Sequence, residues 1–129
     1  MRDNSYLLYR LNFLWDNYFA DQEMKDKIKI AFGRNALYRF GSIRFSYLSK
    51  SIEITVNGRF RDEKYPAEII DHTVAHELVH YVHGFPRPGR RLHRYPHRGG
   101  VIDKELQSRN LHHLVAFYKS WVKQYLKTI

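Results

Sequence analysis

The 129-residue sequence predicts a single α+β domain. Three observations carry that expectation. A leucine row at helical spacing stands near the N-terminus. Three short runs alternate apolar and polar residues in the middle. Helical periodicity returns and fills the second half.

The first row is "YLLYRLNFLWDNYFA", with Leu7, Leu11, Leu14 and Tyr18 one or two turns apart. Asp3 or Asn4 stands where a side-chain cap is needed, so a helix is expected from there. "KIKIAF" then sets Ile28, Ile30 and Phe32 on one face of a strand. "SIRFSY" does the same with Ile43, Phe45 and Tyr47, and "SIEITV" with Ile52, Ile54 and Val56. Period-two alternation of β-branched and aromatic residues marks strands with one buried face. Gly33, Gly41 and Gly58 punctuate them. Three strands in succession predict a small antiparallel sheet. Pro66 suits the first turn of a helix, which should run to about His83. Gly84, Pro86, Pro88 and Gly89 end it. A loop rich in Arg, Gly and Pro follows to residue 100. From about Ile102 one or two helices are expected. Leu111, Leu114, Tyr118, Trp121 and Tyr125 form their apolar stripe, and a break falls near Asn110.

The chain has no cysteine. Disulfides are excluded, and a metal site must draw on histidine and carboxylate ligands. No apolar run approaches the ~18 residues of a membrane span. The N-terminus lacks the small-residue cleavage pattern of a signal peptide, so a cytoplasmic protein without a membrane partner is expected. Twenty-two basic residues against thirteen acidic ones give a formal charge of +9. A balance of that size favours polyanionic partners, nucleic acid first.

The chemistry concentrates in "VAHELVHYVHGFPRPGRRLHRYPHRGG", residues 74–100. His76 and His80 lie one turn apart on one helix face, the spacing with which two imidazoles bind one zinc ion. Glu77 lies about 100° round from His76, within reach of a metal-bound water. In such sites the metal acidifies that water and the glutamate takes its proton as a carbonyl is attacked. Ile69, Thr73, His76 and His80 share one face, while Ile70, Val74, Leu78 and Tyr81 share the opposite one. The second face should pack inward while the histidines face the site. A catalytic zinc usually takes three protein ligands. His97, Glu105 and His93 are the candidates for the third. His72 falls at the rim of the same face, and His83 lies further along the axis.

The segment "LWDNYFADQEMKDKIKIAFGRNALYRFGSIRFSYLSKSIEITVN" resembles the front of SprT-like proteins, where a helix leads into strands of this kind. "PAEIIDHTVAHELVHYVHG" resembles their active-site helix, and the likeness covers most of residues 14–105. The resemblance implies one zinc metallopeptidase domain over residues 1–129, an endopeptidase acting on protein or peptide substrates. It also implies a third histidine in a "G-H-G-x-x-F" setting. His97, followed by Gly99, Gly100 and Val101, matches that setting better than His93 does. A second relative is the minigluzincin group, small glutamate-type zinc peptidases. Likeness to them implies Glu105 as third ligand and a latent enzyme with its C-terminal segment, here "KQYLKTI", in the cleft. In zinc peptidases of this build the substrate lies along a sheet edge, and "SIEITV" is the expected edge.

"FPRPGRRLHRYPHRGG" carries Arg87, Arg90, Arg91, Arg94 and Arg98 with Phe85 and Tyr95 among them. Arginine suits phosphate and aromatic rings stack on unpaired bases, so these arginines are candidate nucleic-acid contacts. Some SprT-like proteases act on proteins attached to DNA, which the resemblance carries over as an expectation. The rival to the peptidase is a DNA-binding module whose metal site is structural or inactive.

Overall fold

The structure, a computed structural model, describes residues 1–84 and 98–129. Among the described residues four α-helices and three strands follow in the order expected. Helix α1 spans Asn4–Tyr18, and the Asp3 side chain caps it by accepting from the Tyr6 amide at 2.9 Å. Its row of Leu7, Leu11, Leu14 and Trp15 is buried. Full burial of one such side chain stabilises by about 1.5–3 kcal/mol, so this row holds α1 in place. The paired hydrogen bonds from Arg10 to the Asp71 carboxylate, 2.9 and 2.8 Å, fix the register of α1 on α2.

Strands β1 (Ile28–Phe32), β2 (Gly41–Ser46) and β3 (Ser51–Val56) form one sheet in the order β1-β3-β2. The sheet is mixed, which corrects the antiparallel expectation. β2 and β3 form an antiparallel hairpin, but β1 runs parallel to β3, with Ile30 beside Ile54. The physical reason lies in residues 33–40. That connection is long enough to leave a gap one strand wide, and β3 fills it. The central strand buries Ile52, Ile54 and Val56 completely or nearly so. Tyr47 lies past the end of β2 and is exposed, so it leaves the predicted apolar face.

Helix α2 (Ala67–Val82) starts directly after Pro66. It is the centre of the molecule. α1, α3, α4, β2 and β3 all pack on it. Its two faces are therefore not divided into a packed and an open one as the sequence suggested. Ile69, Thr73 and His80, on the histidine face, are as buried as Ile70, Val74 and Leu78 opposite. Helix α3 (Val101–Ser108) and helix α4 (His112–Leu126) are separated at Asn110, whose φ of 66° is left-handed. Asparagine tolerates that conformation better than most residues, which places the break. Phe40, Phe60, Trp121 and Tyr125 meet edge to face or stacked and join α4 to the sheet. Among the described residues no helix is long and apolar enough to cross a membrane.

Candidate metal centre

Two turns of α2 build the centre. The ligand-capable atoms of His76, Glu77 and His80 all lie within 4.8 Å of one another. The two imidazole centroids are 4.9 Å apart. Ligands on a tetrahedral zinc with bonds of about 2.1 Å sit roughly 3.4 Å apart, so small rotamer changes close this set. Two imidazoles and a carboxylate are the donor types that such an ion takes. His80 and Glu77 are buried, and His76 is partly open to solvent.

Burial pushes the Glu77 carboxyl up to about 7, and the positive charge of Arg39 works in the opposite direction. Glu77 is buried because strand β2 passes close to α2. At Gly41 that approach leaves no room for a side chain. A Cβ there would stand 2.5 Å from the Thr73 methyl and 3.7 Å from Glu77 Cγ. Thr73 is held by its hydroxyl, which donates to the Ile69 carbonyl at 2.8 Å.

Asn57 holds the segment that brings Arg39 and Phe40 to the centre. Its side-chain oxygen accepts from the Ala36 and Arg59 amides at 3.1 and 3.0 Å. Its amide nitrogen donates to the Ala36 and Arg39 carbonyls at 2.8 and 3.0 Å. Its own backbone N–H reaches Phe40 O at 2.7 Å. A buried asparagine with both ends of its amide engaged specifies one loop conformation.

Beside His76 and Glu77 opens a cleft of about 150 Å3. Tyr38, Phe40 and Gly41 line one side, and His72, Thr73 and Tyr118 complete it. His72 is not a rim residue. It is 4 % exposed, and its ring stacks on Tyr118 at 4.1 Å with an angle of 11°. Its Nε2 is buried without a hydrogen-bond partner among the described residues, and burial lowers its pKa to about 4, so it is neutral at pH 7. The sequence marked Tyr118 only as part of an apolar stripe. Its second role, as a wall of the cleft, depends on α4 crossing α2 and has no local signature. The end of α4 is not among the residues that line this cleft but packs against its wall: the Tyr125 ring meets Phe40 at 5.6 Å, and its hydroxyl donates to Leu37 O at 2.8 Å.

Glu105 lies on α3 in a different network. One carboxylate oxygen is 3.0 Å from His83 Nε2, and the other accepts from Arg109 Nε at 2.9 Å. Burial opposes ionisation of Glu105, but the His83 hydrogen bond and the Arg109 charge hold its pKa below the ordinary value. Arg109 also reaches Asp21 at 2.6 Å and the Tyr18 carbonyl at 2.9 Å, joining α3 to the end of α1. The structure thus brings together His76, Glu77 and His80 and leaves Glu105 outside that group. His93, His97, Arg87, Arg90, Arg91 and Arg94 lie outside the described residues, as does the side chain of Arg98.

The sheet edge near the centre also differs from expectation. "SIEITV" is β3, paired on both sides, so it has no edge to offer. β2 is the edge strand next to α2. Its register with β3, and the bond from Asn57 N to Phe40 O, turn the main-chain groups of Gly41 and Ile43 outward. Among the described residues no strand pairs with that edge.

No protein-family description, no curated protein and no solved structure matches this chain.

Proposed function

We propose that the chain is a zinc-dependent endopeptidase of SprT-like type. The observation that carries this reading is the His76–Glu77–His80 group on one helix beside an open cleft. His76 and His80 would hold the ion through imidazole nitrogens, with His97 as the expected third ligand. When bound, the ion supplies Lewis acidity to a water and to the peptide carbonyl. Glu77 takes the proton from the attacking water and passes it to the departing amine nitrogen. The outward main-chain groups of Gly41 and Ile43 align the peptide by strand addition, which makes little demand on its sequence. Burial of Glu77 keeps bulk water from competing for its carboxylate.

The test pairs metal content with cleavage. Purified wild type should carry about one zinc per chain, and His76→Ala and His80→Ala should lose it. Glu77→Gln should keep the metal while peptide hydrolysis falls by about 10²–10⁴-fold. Metal-loaded Glu77→Gln cutting casein as fast as wild type would refute the mechanism. A wild type that takes up no metal on reconstitution would refute the whole reading.

A further inference from the structure

A second pocket, of about 580 Å3, shares no lining residue with the cleft beside Glu77. Small-molecule sites commonly measure about 300–1,000 Å3. The short 3-10 turn Gly58–Arg61 forms one wall, and Asn35, Lys64 and Tyr65 add to it. Three cationic side chains, Arg59, Arg61 and Lys64, line the space against one carboxylate, Asp62. No ion pair among the described residues uses any of the three. Arg59 Nε is buried without a hydrogen-bond partner among the described residues, so packing holds this guanidinium and its charge stays unanswered. Arg61 is fixed by bonds at one end. Its Nη1 donates to the Gly33 and Gly58 carbonyls at 3.3 and 3.5 Å, and its guanidinium lies 5.2 Å over the Phe32 ring. Its Nε and Nη2 are left to donate elsewhere. Gly58 keeps the floor bare. A Cβ there would stand 2.6 Å from Asn35 Oδ1 and 2.7 Å from Arg61 Nη1, so the amide and the guanidinium converge over backbone.

We propose that this pocket binds a dianionic phosphate group, free or carried by a small phosphomonoester. Guanidinium groups present N–H donors in a rigid fork that matches phosphate oxygens. Lys64 supplies a further charge and Asn35 a neutral donor. One carboxylate ligand would answer a single guanidinium. A dianion with three acceptor oxygens answers both. The pocket is larger than a bare ion needs, so the space beside Tyr65 suits the carbon skeleton of a monoester. The rim disfavours a nucleic-acid strand. Asp62 is exposed there, and Glu63 beside it pairs with the Met1 amino group at 3.3 Å. A polyanion continuing past the pocket meets both carboxylates, whereas a monoester ends before them. The inference stands apart from the peptidase reading, since none of these residues belongs to the metal centre.

The test titrates the full chain in chelator, at pH 8 and constant ionic strength, and follows the Gly58 and Arg59 amide resonances. Chelator keeps phosphate from acting through a metal. Ribose 5-phosphate should shift both amides saturably and bind at least about tenfold more tightly than ribose. Inorganic phosphate separates the two sources: weaker binding than ribose 5-phosphate marks a monoester site, equal binding a free-phosphate site, and either upholds the pocket. Arg59→Gln should weaken ribose 5-phosphate by about tenfold or more, the scale of one charge-assisted hydrogen bond. Its urea midpoint should not fall, because Arg59 Nε bonds nothing among the described residues. Lys64→Gln, at an exposed position, should weaken binding in the same direction. Arg44→Gln removes the same charge from β2, outside the pocket, and should bind as wild type does. Equal shifts by ribose and ribose 5-phosphate, or no shift with either phosphate, would overturn the pocket. Equal weakening in Arg59→Gln and Arg44→Gln would overturn it too, by reducing the effect to net charge. An oligothymidylate with hydroxyls at both ends that binds more tightly than ribose 5-phosphate, and loses that affinity in Arg59→Gln, would replace the pocket by a nucleic-acid surface.

Discussion

Replacing Gly41 by alanine should destabilise the protein, and Thr73→Ser should rescue it. The added Cβ would lie 2.5 Å from the Thr73 methyl and 3.3 Å from the Thr55 carbonyl oxygen. Thr73 cannot turn aside easily, because it is buried and its hydroxyl is bonded to Ile69 O. A β-branched side chain in a helix also has few rotamers. The strand must therefore shift away from α2, and overpacking of this kind costs about 1–3 kcal/mol. Alanine recovers about 0.5–1 kcal/mol through the lower entropy of the unfolded chain. The net loss should be about 1–2 kcal/mol. Thr73→Ser keeps the hydroxyl and removes the clashing methyl; alone it should lose about 1 kcal/mol. Independent effects would sum to roughly 2–3 kcal/mol, whereas the alanine methyl filling the vacated space should bring the double variant within about 0.5 kcal/mol of wild type. Urea unfolding of the four proteins in chelator measures the cycle. Additive losses, or a neutral Gly41→Ala, would show that β2 does not press on α2 at this point. The cycle also bears on the centre, since the strand that shifts is the one covering Glu77.

Three further outcomes follow from other contacts. In chelator, Glu77→Gln should raise stability at pH 8 and leave it nearly unchanged at pH 4.5. The folded protein holds this proton up to about 7 and the unfolded chain releases it near 4.5, so wild-type stability falls as pH rises across that window. The full difference is roughly 3 kcal/mol at 1.36 kcal/mol per pH unit, read from urea curves at the two pH values; equal stability at pH 8 would mean that Glu77 ionises there at no cost. Asn57→Ala strips partners from Ala36, Arg39 and Arg59 and should cost about 2–4 kcal/mol, with faster amide exchange at Ala36; unchanged exchange would count against its role. Glu105→Ala should lower stability by about 2–4 kcal/mol through loss of the carboxylate beside His83 and Arg109, with metal content unchanged; metal lost at unchanged stability would make Glu105 a ligand.

Much of the fold was legible because it rests on periodicity. Leu7, Leu11 and Leu14 repeat at helical spacing, and Ile52, Ile54 and Val56 alternate, so each element announces its own buried face. The direction of β1 was not legible. Parallel and antiparallel partners of β3 need the same alternation, and the choice falls to residues 33–40, whose length permits the skipped position. The depth of α2 was misread for a related reason. An amphipathic reading assumes one face open along its length, but α2 is contacted by five other elements and its histidine side is open only in part, at His76. Ile69 on the histidine side is the residue that records this, since an isoleucine there gains nothing from a solvent face and is fully buried.

The centre divides in the same way. His76, Glu77 and His80 are legible because their spacing on a single helix fixes their relative positions without reference to the rest of the chain. Everything that makes those three residues a site rather than a helical pattern is tertiary. Gly41 matters because Thr73 lies opposite it, Asn57 because residues 36 and 39 return to it, and Tyr118 because α4 crosses beside His72. None of these has a meaning that its own neighbours in sequence could supply. Each is nevertheless a pairwise contact that a double substitution can isolate. If the cleft is built as argued, Gly41 with Thr73 and His72 with Tyr118 should each show coupling that distant pairs lack. Such coupling separates a pocket shaped around Glu77 from a gap left by chance between a strand and a helix.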